Sequence, residues 1–289
     1  MKKFGIISVI LILTFLFFPF SVTAETSALV EGKKNIVYTA LGDSIAVGVG
    51  GIAIPPVNPL NSEDTFYGYT DMLRDHLDNI YDKVTFNDEA KSGLTSKDLL
   101  LSLSNPKIYS AIKNADIITV SIGGNDILQT IIQFGISNPE IIDKLMNKAE
   151  LTKEDIIIVN SLIIELGNNL NSFIFNWYNI INTIRNSIHS TAEIYVNNLY
   201  NPFKPEDPLY AYADMFIQGI NDGIDNEYLN ELYNYKIADV YTKFNGYNND
   251  NKILVHDIYS IDPDLCFLHP TEKGYEFIFN LHKELMLEN

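Results

Sequence analysis

The sequence predicts an α/β protein in which a parallel sheet is sandwiched between two layers of helices. Three observations carry that expectation. Five short runs are apolar on both faces, as buried parallel strands are. Between them lie segments whose apolar residues recur at three- and four-residue steps. The two patterns also alternate along the chain, which calls for right-handed crossovers with helices on both sides of one sheet.

The expected strands are Asn35 to Leu41, Val84 to Asn87, Asp116 to Ile122, Ala192 to Asn198 and Lys252 to Asp257, each short and rich in β-branched or aromatic residues. Helices are expected over Thr65 to Tyr81, where Leu73, Leu77 and Ile80 share a face, and over Ser104 to Lys113. The strongest helical pattern runs from Thr152 to Ile188, where Leu162, Leu166, Phe173, Trp177, Ile181 and Ile184 recur at helical spacing. Thr152 with Asp155 three residues on supplies its capping signal, and Gly167 marks a place where it can bend. Asn226 to Phe244 reads as a further helix ending near Gly246, and Thr271 to Met286 as the last, with Thr271 as its N-cap. No repeat or low-complexity linker interrupts residues 30 to 289, so one domain is expected over 25–289, with a helical insertion at about 130–190.

Composition narrows the function. With 289 residues, 46% of them hydrophobic, the chain can bury a full core. Its 37 acidic against 20 basic residues give a net charge of −17, which repels phosphate backbones and excludes nucleic acid as an expected partner. Met1 to Ala24 combines Lys2 and Lys3, an apolar run from Phe4 to Phe20 and a small-residue ending, the layout of a secretory signal peptide. The expectation is a secreted protein with no membrane span once that segment is removed; the alternative is an N-terminal membrane anchor. One cysteine, Cys266, excludes an intramolecular disulfide and a Cys-x-x-Cys site.

In a parallel α/β sheet, ligands bind beyond the carboxyl ends of the strands. Four residues there can carry chemistry. Ser44, in Gly42-Asp43-Ser44, sits where a strand turns into a helix and is a nucleophile candidate, or an N-cap. Gly93 lets a backbone N–H approach an oxyanion, unless it is a plain turn glycine. Asn125, after Gly123-Gly124, can aim its amide into the same crevice or close an Asx turn. His269 precedes Pro270, which forces a turn or a helix start and leaves the imidazole on the rim as a candidate base.

Taken in order, Ser44, Gly93, Asn125 and His269 resemble the four signature blocks of the SGNH hydrolases, the GDSL family of lipases and esterases. Gly42-Asp43-Ser44, Gly123-Gly124-Asn125-Asp126 and His269-Pro270 match literally, over nearly the whole chain after the leading segment. The resemblance implies a three-layer α/β/α sandwich with a flavodoxin-like five-stranded parallel sheet, and ester hydrolysis without metal or cofactor. It also implies Ser44 as nucleophile and His269 as base, with Ser44 N–H, Gly93 N–H and the Asn125 side chain as the oxyanion hole. One position departs from the pattern. The family's acid lies three residues before the histidine, where this chain has Cys266. Asp264 is the nearest acid on that loop, and Asp262 or a backbone carbonyl remain open as alternatives for orienting His269.

Other chemistries fail on context. Gly48-Val49-Gly50-Gly51-Ile52-Ala53 spells a dinucleotide fingerprint, but Pro55-Pro56 stop any helix it would open. The remaining histidines lack His-Glu-x-x-His spacing, and Gly-x-Ser-x-Gly is absent around Ser44. The expected substrate is a small-molecule or lipid ester, since Gly51 to Tyr69 and the insertion after Asn125 offer apolar residues for an acyl-binding wall beside Ser44, unless these serve ordinary core and helix packing. The alternatives are a carbohydrate acetylesterase and a non-catalytic binding protein on the same fold.

Overall fold

Strand β1 (Asn35–Gly42) lies inside the sheet, with strands paired to both of its edges. The computed structural model describes residues 34–53, 66–207, 210–247, 254–256 and 268–287. A short helix, α1 (Ser44–Val47), follows β1, and β2 (Ile52–Ala53) pairs antiparallel with β3 (Phe66–Tyr67). Next come α2 (Tyr69–Asp78), β4 (Lys83–Ala90), α3 (Ser96–Ser102), α4 (Pro106–Lys113) and β5 (Ile117–Ser121). Helices α5 (Gly124–Ser137), α6 (Pro139–Met146) and α7 (Lys153–Asn182) then precede a π-helical turn (Thr183–Ser187) and β6 (Glu193–Asn197). The chain continues through α8 (Tyr210–Ile224), α9 (Glu227–Tyr233), β7 (Tyr235–Ala238), α10 (Val240–Tyr247) and α11 (Glu272–Leu287).

The sheet runs β4-β1-β5-β6-β7, and every pairing in it is parallel. Counted among the five sheet strands alone, that order is 2-1-3-4-5, the flavodoxin-like arrangement implied by the resemblance. Helices cover both faces. On one, Leu41, Ile118, Val120, Ile194 and Val196 meet aliphatic and aromatic residues of α3, α5, α7 and α8. On the other, Tyr38, Ala40, Ile117 and Tyr195 pack against α2, α10 and α11.

Local signals explain several boundaries. Thr152 accepts from Asp155 N while Asp155 accepts from Thr152 N, the capping box expected at the start of α7. The helix is continuous through Gly167 and leaves α geometry only at Thr183, so the expected span is divided near its end rather than its middle. Asn105 accepts from Lys107 N to begin α4, and Thr271 Oγ1 accepts from Gly274 N to begin α11.

Two expectations are corrected. The fifth sheet strand is β7, which lies inside the expected helix Asn226 to Phe244. Asn234 adopts φ 49 and ends α9, after which Tyr235 to Ala238 pair with Ile194 to Asn197. Four residues of helix-compatible spacing therefore go to the sheet because an open edge of β6 offers them ladder hydrogen bonds. Of the expected strand Lys252 to Asp257, the described residues 254–256 are not part of this sheet. They instead meet the segment before α11, through an antiparallel bridge between Val255 and Pro270. Among the described residues no helix is long and apolar enough to cross a membrane.

Candidate active site

The chain passes from β1 outward to β4 and then back across β1 to β5, so the connections leave the sheet centre in opposite directions. A crevice opens at such a point, beyond the carboxyl ends. Three of the loops in question lie there: Asp43-Ser44 after β1, Lys91 to Thr95 after β4, and Gly123 to Asp126 after β5.

Ser44 is delivered by a tight corner. Gly42 has φ +134, and a Cβ there would fall 2.0 Å from the Ser121 carbonyl oxygen, so only glycine lets β1 end this close to β5. Asp43, not Ser44, is the N-cap of α1, its Oδ1 accepting from Ile45 N at 3.1 Å. Ser44 is thereby the first helical residue, half-buried with its hydroxyl on the rim. Asp43 itself is buried and accepts a second hydrogen bond from Ser121 Oγ at 3.3 Å. Burial pushes its carboxyl up to about 7, while the Ile45 and Ser121 donors act in the opposite direction.

His269 arrives from the other end of the chain and is fixed from several sides. His269 O accepts from His256 N at 2.9 Å, and Thr271 N donates to Leu254 O at 2.9 Å. The Tyr200 hydroxyl donates to Leu268 O at 2.6 Å. The turn after α1 closes against the same segment: His256 Nε2–H donates to Gly50 O at 2.8 Å, and Tyr275 OH donates to Val49 O at 2.7 Å. In this setting His269 Nε2 lies 2.8 Å from Ser44 Oγ, across 225 residues of sequence.

The two remaining motif residues face each other across the β4 and β5 loops. Asn125 Nδ2 donates to Leu94 O at 3.0 Å, which spends one of its two amide hydrogens and sets the plane of the side chain. Asp126 holds the start of α5 in place by accepting from Ser96 N at 2.8 Å and Ser96 Oγ at 2.5 Å; Asn176 Nδ2 donates to that same hydroxyl at 3.0 Å. Gly93 has φ +81, and a Cβ there would meet nothing within 4 Å. The glycine thus answers to backbone conformation, and the space beside it is open.

The structure brings Ser44 and His269 into hydrogen-bond reach, and couples Asn125 to the Gly93-Leu94 turn. Asp264, Asp262 and Cys266 lie outside the described residues, as do residues 54–65 of the segment expected to line the crevice. The sequence reading assigned no role to Asp43, although it stands inside the Gly-Asp-Ser motif and an aspartate next to a helix start is a capping signal. Nor did it single out Ser96 and Asn176, which reach Asp126 from α3 and α7; no local pattern identifies a contact across such separations.

The chain and its fold have counterparts in known proteins. The chain is 27% identical over 242 residues to a spore germination lipase, LipC, of Bacillus licheniformis, covering 84% of this chain and 92% of that one. Among solved structures, it resembles the lipase Lip_vut3 from a goat rumen metagenome, with 26% identity, TM-score 0.57, and coverage of 86% of this chain and 96% of that one. It shares its fold with an extracellular lipase from Streptomyces rimosus, with 16% identity, TM-score 0.60, and coverage of 86% and 99%. The model of the GDSL-like lipase/acylhydrolase family matches residues 40–277, from the end of β1 into α11. The chain belongs to that family and is a carboxylic ester hydrolase.

Proposed function

We propose that the chain is a serine lipase or esterase that works through an acyl-enzyme on Ser44. The observation that carries this reading is the 2.8 Å separation of Ser44 Oγ and His269 Nε2. At that distance the neutral imidazole accepts the hydroxyl proton as the oxygen attacks the ester carbonyl. The negative charge that develops on the carbonyl oxygen is met by the second amide hydrogen of Asn125 and by the backbone N–H groups of Gly93 and Ser44. The imidazolium then gives its proton to the leaving alcohol. Water, deprotonated by the same imidazole, releases the acid and restores Ser44.

The relative from Bacillus licheniformis is a lipase, which favours fatty acyl esters over acetylated sugars. A series of aryl esters of increasing acyl length tests both parts of the proposal. Medium or long chains are expected to be hydrolysed faster than acetate, and a maximum at acetate would assign the site to the sugar-acetyl reading. Ser44→Ala is expected to lower turnover by roughly 10⁴- to 10⁶-fold; a rate equal to wild type would remove Ser44 from the mechanism. Asn125→Ala should cost about 10²- to 10³-fold in turnover, with a smaller effect on KM.

A further inference from the structure

The helices on one side of the crevice continue well past the sheet. Gly123 marks the carboxyl edge of β5, and a Cβ there would lie 2.8 Å from the Phe173 ring, so Phe173 is level with that edge. Beyond it α5 climbs antiparallel to α7, where Asn169 Nδ2 donates to Thr130 Oγ1 at 2.7 Å, and farther out Lys144 of α6 pairs with Asp155 of α7 at 2.6 Å. Helix α8 covers the opposite flank, with Gly219 against Leu170 and Gly223 against Ile174. The stretch of α7 before Phe173 amounts to about 30 Å of helix. Only Leu162, Leu166 and Leu170 of that stretch reach the aliphatic core.

The outer surface of this extension differs from the rest of the protein. Ile157 and Ile164 are 65% and 66% exposed, and Phe175, also 66% exposed, shares their side of α7, because steps of 7 and 18 residues return to nearly the same helical angle. Ile136, at the far end of α5, is 71% exposed. No charged residue occurs between Ile127 and Asn138, and Glu165 is the only one between Ile156 and Ile184, in a chain with 37 acidic residues among 289; the charges of the extension are gathered at its end, from Glu140 to Asp155.

We infer that the charge-poor, isoleucine-rich outer surface of α5 and α7 docks the protein onto an uncharged or zwitterionic lipid surface. The inference rests on the lipase reading. Two features select that occupant. A second copy of the chain, or an anionic bilayer, would bring net negative charge against a protein of net charge −17, whereas a neutral acyl surface meets none. The extension is also continuous with the crevice: α5 begins at Gly124, where a Cβ would lie 3.9 Å from Asp43 Oδ2, next to Ser44. Docking there holds the crevice at the lipid boundary.

Flotation with phosphatidylcholine vesicles tests this, using Ser44→Ala protein so that no substrate is consumed. The Ser44→Ala protein is expected to float with the vesicles, and adding Ile157→Asp and Ile164→Asp should reduce the bound fraction at least ~10-fold, since each exposed isoleucine gives up its burial in lipid. On the Ser44 background, the same two substitutions should slow hydrolysis of an emulsified long-chain ester comparably and leave a soluble short-chain ester within two-fold, which also reports that the fold is intact. Absence of flotation, or equal flotation of the aspartate variant, would overturn the inference. So would a dimer in sedimentation that the two aspartates dissociate, because the face would then belong to a second copy. If the wild type fails on soluble esters while the Ser44→Ala protein still floats, the hydrolase mechanism falls and the docking surface stands.

Discussion

The two faces of the sheet bury side chains of different chemistry. On the face covered by α3, α5, α7 and α8, the strands present Leu41, Ile118, Val120, Ile194 and Val196 to Phe173, Trp177, Ile180 and their neighbours. The opposite face, covered by α2, α10 and α11, buries Tyr38, Thr119, Ser121, Tyr195 and Asn197. There Tyr38 OH and Thr119 Oγ1 are 2.9 Å apart, His282 Nε2–H donates to Asn197 Oδ1 at 2.6 Å, and His282 stacks on Tyr69 with ring centroids 5.1 Å apart. The polar series reaches Asp43 through Ser121, one residue from Ser44. Dispersion and apolar burial are non-directional, so the first face supplies cohesion. Hydrogen bonds fix angles, so the second face holds the corner carrying Ser44 at the expense of some stability: His282 Nδ1 and Asn197 Nδ2 find no partner among the described residues.

The largest effect that separates the faces is expected from Trp177→Ala. Trp177 is fully buried and meets Tyr235 edge-on at 5.7 Å, so its removal should cost about 3–5 kcal/mol in urea unfolding at every pH. A loss below about 1 kcal/mol would mean that this face does not carry the cohesion assigned to it.

On the polar face the signature is a pH dependence. Burial lowers the His282 imidazole to about 3, so it is neutral in the folded protein. An unfolded chain takes up that proton below about 6.5, so the stabilisation is complete above that pH and is lost as pH falls toward 3. By pH 5 the loss should reach about 2 kcal/mol. His282→Gln, which keeps a donor for Asn197 but does not titrate, should remove this slope; the same slope in both proteins would assign it elsewhere.

Asp43 should tilt the curve the other way. Its carboxyl is raised to about 7, so the folded state keeps a proton that the unfolded state has released, and stability is lost as pH rises from about 4 to about 7. Asp43→Asn retains an oxygen to accept from Ile45 N, and it should flatten that slope while shifting the melting temperature at pH 4 by only about 2–4 °C. An unchanged slope would show that Asp43 is charged in the fold.

These same elements mark how far the sequence could be read. Ser44 and Asn125 were legible because each sits in a short motif at a strand end, His269 because Pro270 follows it, and α7 because thirty residues of one period leave little ambiguity. Strand β7 was not: Leu229, Leu232, Ile237 and Val240 satisfy a helical period, and only the unpaired edge of β6 makes Tyr235 to Ala238 extended. The projection of α5 and α7 beyond the sheet was expected only as an insertion of helices, since a period gives which face is apolar but not what covers it.

By itself the sequence determined the alternation of strands and helices, the caps at Thr152 and Thr271 and the candidate residues Ser44, Gly93, Asn125 and His269. These depend on side-chain chemistry and backbone sterics within a few residues. Tertiary structure alone decided that β7 closes the sheet, that Asp43 is buried beside Ser121, and that Ser44 Oγ meets His269 Nε2 across 225 residues. Such contacts follow from strand order and from which faces are buried together, and those are settled by the free energy of the whole chain rather than by any segment of it.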